Sequence, residues 1–120
     1  MIIVDTDFLI DYITNKQAAV KKLELYIGRE KLYITDLILA ELTYTIPSPD
    51  VIESVIDAFE ILIFDESAAL EMINILKSFQ LEEPPPFRIL YNSSIALSKS
   101  LAILTKNRSL YSRIRGVKIL

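Results

Sequence analysis

The chain has 120 residues and contains neither cysteine nor histidine. A chain of this length makes one domain, which buries roughly two-thirds of its unfolded surface and needs no cross-link to be stable. The lack of cysteine excludes disulfides, thiolate zinc sites and cysteine nucleophiles, and the lack of histidine removes the commonest general base and an imidazole metal ligand. Hydrolysis would therefore depend on carboxylates, hydroxyls, amines or a metal held by oxygen atoms, such as Mg²⁺, Mn²⁺ or Ca²⁺.

The charged residues are unevenly distributed, although the formal net charge is only −3. Residues 32–76 carry nine acidic side chains and no basic one, whereas residues 84–120 carry seven basic side chains and no acidic one. This asymmetry indicates an anionic partner, although two ordinary solvated faces are the simpler interpretation. No apolar run reaches the roughly 20 residues of a membrane span, and the first residues do not resemble a signal peptide. We therefore expect a cytoplasmic protein without membrane contact.

Short apolar runs alternate with amphipathic segments along the whole chain, which indicates strands that alternate with helices. Such alternation implies right-handed crossovers and a small three-layer α/β fold, in which helices cover both faces of a mostly parallel central sheet of about five strands. We expect residues 1–120 to form this one domain. In chain order we expect strands over residues 1–4, 32–34, 61–64, 102–104 and 117–119, helices beginning near residues 6, 16, 36, 49, 66 and 92, and an extended loop over residues 82–86.

Polar side chains follow three of the predicted strands directly. Asp5 and Asp7 follow the first strand, Asp36 follows the second, and Lys106 and Asn107 come just after the fourth. In open α/β sheets, ligands bind beyond the carboxyl ends of the strands. The sequence therefore predicts a site at this edge of the sheet.

Glu41 is the most informative acidic residue. When the third predicted helix is viewed along its axis, the Glu41 side chain projects between those of Leu37 and Ile38, on the apolar face. A charge in that place is costly unless it is paired or bound to a metal. A salt-bridged glutamate is the simpler alternative, but no basic residue occurs in the nine residues before Glu41 or the 35 after it. We therefore expect Glu41 to join Asp5 in a site where a divalent cation relieves their mutual repulsion.

Four segments resemble, in order, the motifs of PIN-domain proteins, especially the VapC-like toxins of toxin–antitoxin pairs. Residues 3–11 resemble the opening motif, and residues 35–42 resemble the second, a hydroxyl residue at a strand end followed by an acid–leucine pair. Residues 92–96 resemble the third motif, which normally opens with Asp, and residues 104–107 resemble the fourth. The resemblance spans nearly the whole chain and implies a metal-dependent endoribonuclease, in which a metal-activated water attacks the RNA phosphodiester.

The resemblance also implies roles for individual residues. Asp5, Glu41 and Asn92 would hold Mg²⁺ or Mn²⁺, and Asn107 would complete the catalytic set by orienting water or the metal. Asn92 departs from the family, because an amide stands where the third acid is normally found. An amide brings no charge and accepts no proton, so we expect weaker metal binding and slow or absent chemistry. As an alternative, Asn92 is simply a helix cap.

The basic C-terminal stretch fits an RNA substrate. Lys106, Arg108, Arg113 and Arg115 would hold phosphates, with Thr6 as a neighbouring hydroxyl contact. The resemblance implies a small antitoxin protein and a homodimer as further partners. The apolar fraction of 52% fits either a surface buried against a second copy or a rich core. The alternative function is a non-catalytic PIN-fold module for RNA binding or dimerisation.

Overall fold

A five-stranded parallel sheet forms the middle layer of the computed structural model, which describes residues 1–120. The strands lie in the order β3-β2-β1-β4-β5, so the first strand occupies the centre of the sheet. The chain adds β2 and β3 on one side of β1 and then β4 and β5 on the other side. The direction of strand addition therefore reverses between β1 and β4, and open α/β sheets bind ligands at such a switch point. The strands are β1 Ile2–Val4, β2 Leu32–Thr35, β3 Glu60–Leu62, β4 Ala102–Leu104 and β5 Lys118–Ile119.

Seven helices complete the domain, and the α/β fold with a parallel sheet of five strands is confirmed. Polar side chains cap two of the helices that follow strands, since Thr35 at the end of β2 caps α3 through the backbone N–H of Ile38, and Asp65, three residues after β3, caps α5. No helix combines the length and apolar character that crossing a membrane requires. The helices are α1 Thr6–Ile13, α2 Gln17–Glu24, α3 Asp36–Thr45, α4 Pro49–Ala58, α5 Glu66–Lys77, α6 Phe87–Lys99 and α7 Arg108–Tyr111.

The central strands are buried completely, which explains their unbroken apolar sequences. Ile3 and Val4 of β1, Ile34 of β2 and Ile103 of β4 have no exposed surface. A parallel strand covered on both faces by helices has no polar side, so both alternating sets of side chains are apolar. The polar residues are therefore confined to the ends of these strands.

Helix α6 begins at Phe87, five residues before the position expected from the sequence. Pro86 has the extended backbone that precedes a helix, with ψ of 152°, and a proline is compatible with the start of a helix but not with its interior. The expectation that Asn92 caps this helix is wrong, because Asn92 lies in the second turn and is fully buried. The earlier start adds a first turn that carries Arg88.

We predict that Ile34→Ala lowers the free energy of unfolding by about 2–5 kcal/mol, because it removes a fully buried side chain and leaves a cavity. Ile63→Ala is the matched control, since Ile63 is 64% exposed and such a surface change costs about 0.5 kcal/mol or less. Urea denaturation of both variants measures the difference. Equal losses of stability would show that β2 does not lie in the core.

Candidate functional site

The carboxyl ends of β1 and β4 meet around Asp5, whose side chain is 0% exposed. Asp5 Oδ1 accepts a hydrogen bond from the backbone N–H of Thr6 at 2.8 Å, and Oδ2 accepts one from Thr105 Oγ1 at 2.8 Å. Asp7 lies beside it and accepts from the backbone N–H of Lys106 at 3.2 Å. The residues that follow the first and fourth strands are thus brought together, as the sequence predicts.

Glu41 reaches the same place from α3, and Arg88 lies between the two carboxylates. Thr6 Oγ1 donates to Glu41 Oε1 at 2.7 Å. Arg88 donates from Nε to Glu41 Oε2 at 2.8 Å and from a terminal nitrogen to Glu41 Oε1 at 3.0 Å. The same terminal nitrogen donates to Asp5 Oδ1 at 2.6 Å. One guanidinium therefore binds Glu41 through two hydrogen bonds and Asp5 through a third.

Arg88 was not predicted as a site residue, because it is far from Glu41 in the sequence and no basic residue occurs close to Glu41. Arg88 lies 47 residues after Glu41 and joins it through the fold. One sequence feature could have indicated that Arg88 contacts an acidic residue. A basic residue in the first turn of a helix opposes the helix dipole, and a nearby negative charge compensates for this. That feature requires the helix to start at Phe87, whereas the sequence predicts a start near Asn92.

The pKa shifts follow from this arrangement. Burial raises the pKa of the Glu41 carboxyl, but the hydrogen bonds from Arg88 and Thr6 outweigh burial and hold the pKa below the ordinary value of 4.5. The hydrogen bond to Glu41 raises the pKa of Arg88 well above its usual value, so the guanidinium stays charged. Burial, and then the charge of Asp5, raise the pKa of Asp7. The site is therefore a carboxylate pair neutralised in part by an internal cation.

Asn92 is fully buried and makes its hydrogen bonds with residues other than Asp5 and Glu41. Its Oδ1 accepts from Thr35 Oγ1 at 2.7 Å, and its Nδ2 donates to the Tyr111 hydroxyl at 3.1 Å. Burial, and next the charge of Asp5, raise the pKa of Tyr111. Both polar ends of the Asn92 amide are thus engaged within the buried interior.

The residues in this arrangement do not fit a bound Mg²⁺ or Mn²⁺. No three acidic side chains converge closely enough to hold a metal ion. Arg88 engages both oxygens of Glu41 and one of Asp5, and Thr105 takes the other oxygen of Asp5. The amide of Asn92 is also engaged. A guanidinium stands where a divalent cation would have to lie.

An open cavity of about 570 Å³ lies in front of the site. Its polar lining differs from the set expected from sequence, because Arg88 belongs to it and Asn92 does not. Of the expected site residues, Thr6, Glu41 and Asn107 line this cavity, together with Asp7 and Arg88.

The basic residues expected to hold RNA are only partly free. Lys106 Nζ lies 2.7 Å from Asp11. Arg108 donates to the carbonyl oxygen of Leu120 and Arg113 to that of Glu83. Arg115 is exposed and makes no salt bridge or hydrogen bond through its side chain. These four residues lie beyond β4, and none of them lines the cavity.

Comparison with solved structures identifies the fold. VapBC from Salmonella typhimurium bound to DNA gives a TM-score of 0.84 at 25% identity, over 99% of this chain and 96% of that chain. VapBC2 from Rickettsia felis bound to a promoter DNA fragment gives 0.82 at 20% identity, over 100% of this chain and 98% of that chain. This chain has the VapC-like PIN-domain fold. The expected resemblance to VapC-like proteins is confirmed.

A further solved relative agrees, although sequence comparison alone finds nothing. VapBC-1 from nontypeable Haemophilus influenzae gives a TM-score of 0.83 at 20% identity, over 100% of this chain and 97% of that chain. Comparison with protein-family models gives no match, and comparison with curated protein sequences gives none either. The likeness to VapC-like proteins is therefore a likeness of three-dimensional fold.

We predict that Glu41→Gln lowers the free energy of unfolding by about 1–3 kcal/mol at neutral pH, because the charge-assisted pair with Arg88 is removed. The folded-state pKa of Glu41 is depressed, so its stabilisation is fully present above pH 4.5 and is lost as the pH falls through the folded-state value. Urea denaturation from pH 3 to pH 7 should show the wild-type advantage shrinking below about pH 4.5. An advantage that is independent of pH would contradict the ion pair.

Proposed function

We propose that this VapC-like chain is the toxin-type component of a toxin–antitoxin pair, and that it acts by binding RNA rather than by cutting it. The observation that carries the second part of the proposal is the guanidinium of Arg88 between Asp5 and Glu41. A phosphodiesterase built on carboxylates needs those oxygens for a metal ion. Here they are hydrogen-bonded to the protein's own cation.

The assignment to a toxin–antitoxin pair is supported by the solved relatives. The similar structures from Salmonella typhimurium, Rickettsia felis and Haemophilus influenzae are VapBC structures, and the match extends over almost the full length of each chain compared. We propose that this chain likewise binds a small antitoxin protein and forms a homodimer. Co-purification with the product of a neighbouring reading frame, followed by mass measurement in solution, tests both partners.

RNA binding is supported by the charge distribution at the edge of the sheet. The first two residues after β4 contact the acidic residues of the site. The hydroxyl of Thr105 donates a hydrogen bond to Asp5, and the backbone N–H of Lys106 donates one to Asp7. From there to the C-terminus the chain carries basic residues and no acidic ones. RNA phosphates that bind Arg108 and Arg115 would approach the protein at the residues that follow β4.

The metal-dependent endoribonuclease is the second candidate function. Asp5, Asp7 and Glu41 all lie at the carboxyl edge of the sheet, and Asn107 lines the same open cavity as Asp7 and Glu41. With Arg88 withdrawn, Asp5 and Glu41 would be the ligands of Mg²⁺ or Mn²⁺. This function therefore requires a conformation in which Arg88 has left both carboxylates.

One experiment separates the two candidates. Labelled single-stranded RNA is incubated with the protein and Mn²⁺, binding is followed by fluorescence anisotropy, and cleavage is followed on a denaturing gel. We predict binding that weakens as salt rises, with the RNA left intact. Replacing Arg108, Arg113 and Arg115 with Gln should weaken binding about tenfold for all sequences and lower the salt slope by roughly 0.7 for each phosphate that the variant no longer neutralises.

The matched control replaces three basic residues outside the C-terminal stretch, Lys21, Arg29 and Lys77, with Gln. This control should bind RNA as the wild type does. Equal affinities of the two triple variants would show that the C-terminal stretch does not bind RNA. Cleavage that disappears in Asp5→Asn would overturn the non-catalytic function and establish the endoribonuclease.

A further inference from the structure

We propose that Tyr44 is the residue on which a nucleobase of single-stranded RNA stacks, in the open cavity that Asp7 and Glu41 line. Such stacking rests on the proposed RNA binding, and it supplies a base contact beside the phosphate contacts of the basic C-terminal stretch. The role of Tyr44 is the same whether the bound RNA is cut or left intact.

Tyr44 is a large aromatic side chain that the fold leaves in solvent, since it is 90% exposed. The aromatic contacts of the protein join Phe64, Tyr91 and Phe87, and Tyr44 takes part in none of them. Tyrosine is also a weaker helix former than leucine, glutamate or lysine, although Tyr44 lies in the last turn of α3. Neither core packing nor helix propensity explains an aromatic ring at this position.

Helix α3 presents Tyr44 on the side that carries Glu41. The two residues are three positions apart in α3, and residues with this spacing are neighbours on the helix surface. Both line the open cavity of about 570 Å³, as does Asn107. Because Asn107 directly precedes Arg108, the cavity reaches the basic C-terminal stretch. An RNA strand held by that stretch would place a base in the cavity.

The lining of this cavity has the chemistry that recognises a nucleobase. A nucleobase offers a flat face for stacking and hydrogen-bonding groups around its edge. Stacking on an aromatic side chain accepts any base, since every base has a π face. Around the ring of Tyr44 the lining supplies side chains that form hydrogen bonds, which are Thr6, Asp7, Glu41, Thr45, Arg88 and Asn107.

A second cavity shows what an apolar segment of a protein partner would need instead. It measures about 400 Å³ and lies between α1 and α4, where seven of its nine lining residues are hydrophobic, among them Leu9, Ile13 and Val55. Only three of the nine residues that line the cavity at Tyr44 are hydrophobic. An apolar segment therefore finds little surface to bury at Tyr44, whereas a base needs only the one ring.

The experiment measures the binding of labelled single-stranded RNA by fluorescence anisotropy, in chelator so that the RNA stays intact. Tyr44→Leu removes the ring and keeps an apolar side chain, whereas Tyr44→Phe keeps the ring. We expect Tyr44→Leu to weaken binding about tenfold, the loss of one base–aromatic contact, and Tyr44→Phe to bind as the wild type does. The salt dependence should stay unchanged, because no phosphate contact is removed. Both variants should melt as the wild type does, since Tyr44 is exposed.

An RNA of the same length made of abasic nucleotides separates stacking from a general disturbance of the site. It keeps every phosphate and has no base to stack, so the wild type and Tyr44→Leu should bind it equally. Phe87→Leu is the matched protein control, since Phe87 is 64% exposed and lies outside the cavity lining. That variant should bind both RNAs as the wild type does.

Three results would overturn the role of Tyr44. They are an unchanged affinity of Tyr44→Leu for the ordinary RNA, an equal loss for the ordinary and the abasic RNA, and a loss in Phe87→Leu as large as in Tyr44→Leu. Weaker binding of the co-purified antitoxin by Tyr44→Leu, with RNA binding unchanged, would assign the ring to a protein partner. If the wild type binds no RNA, the proposed function fails as well, whereas unchanged RNA binding in Tyr44→Leu leaves that function standing.

Discussion

A carboxylate with no exposed surface imposes the constraint that the rest of the site obeys. An isolated buried charge costs several kcal/mol even after the protein relaxes, so Asp5 must be compensated by what surrounds it. The N–H of Thr6, the hydroxyl of Thr105 and the guanidinium of Arg88 supply that compensation. Because these groups come from α1, the end of β4 and α6, the ion pair also fixes where the three elements meet.

The internal cation gives this VapC-like fold a different chemical character from a metal site. Arg88 is 26% exposed along its side chain and its guanidinium is permanently charged, so the carboxylate pair is neutralised in part without any ion from solution. Glu41 stays ionised because its hydrogen bonds outweigh its burial. The fold and the open cavity are retained, while the oxygens needed for metal-assisted hydrolysis are engaged. These observations support the binding function that we propose.

Much of the fold could be predicted from the sequence, because it follows from local patterns. The apolar runs at β1, β2 and β4 and the capping residues at the strand ends specify a parallel sheet covered by helices. The meeting of Asp5 with Glu41 follows from the same topology. The contact of Arg88 with both acids could not be predicted, because it depends on where α6 begins. Pro86 sets that point, and the apolar pattern of residues 87–91 does not by itself distinguish helix from loop.

The guanidinium of Arg88 occupies the cation position between Asp5 and Glu41. Crystals grown with excess Mn²⁺, with diffraction measured at the manganese absorption edge, test it most directly. We expect electron density for the guanidinium bridging the two carboxylates and no anomalous peak between them. An anomalous peak within coordination distance of both carboxylates, with Arg88 displaced, would contradict it.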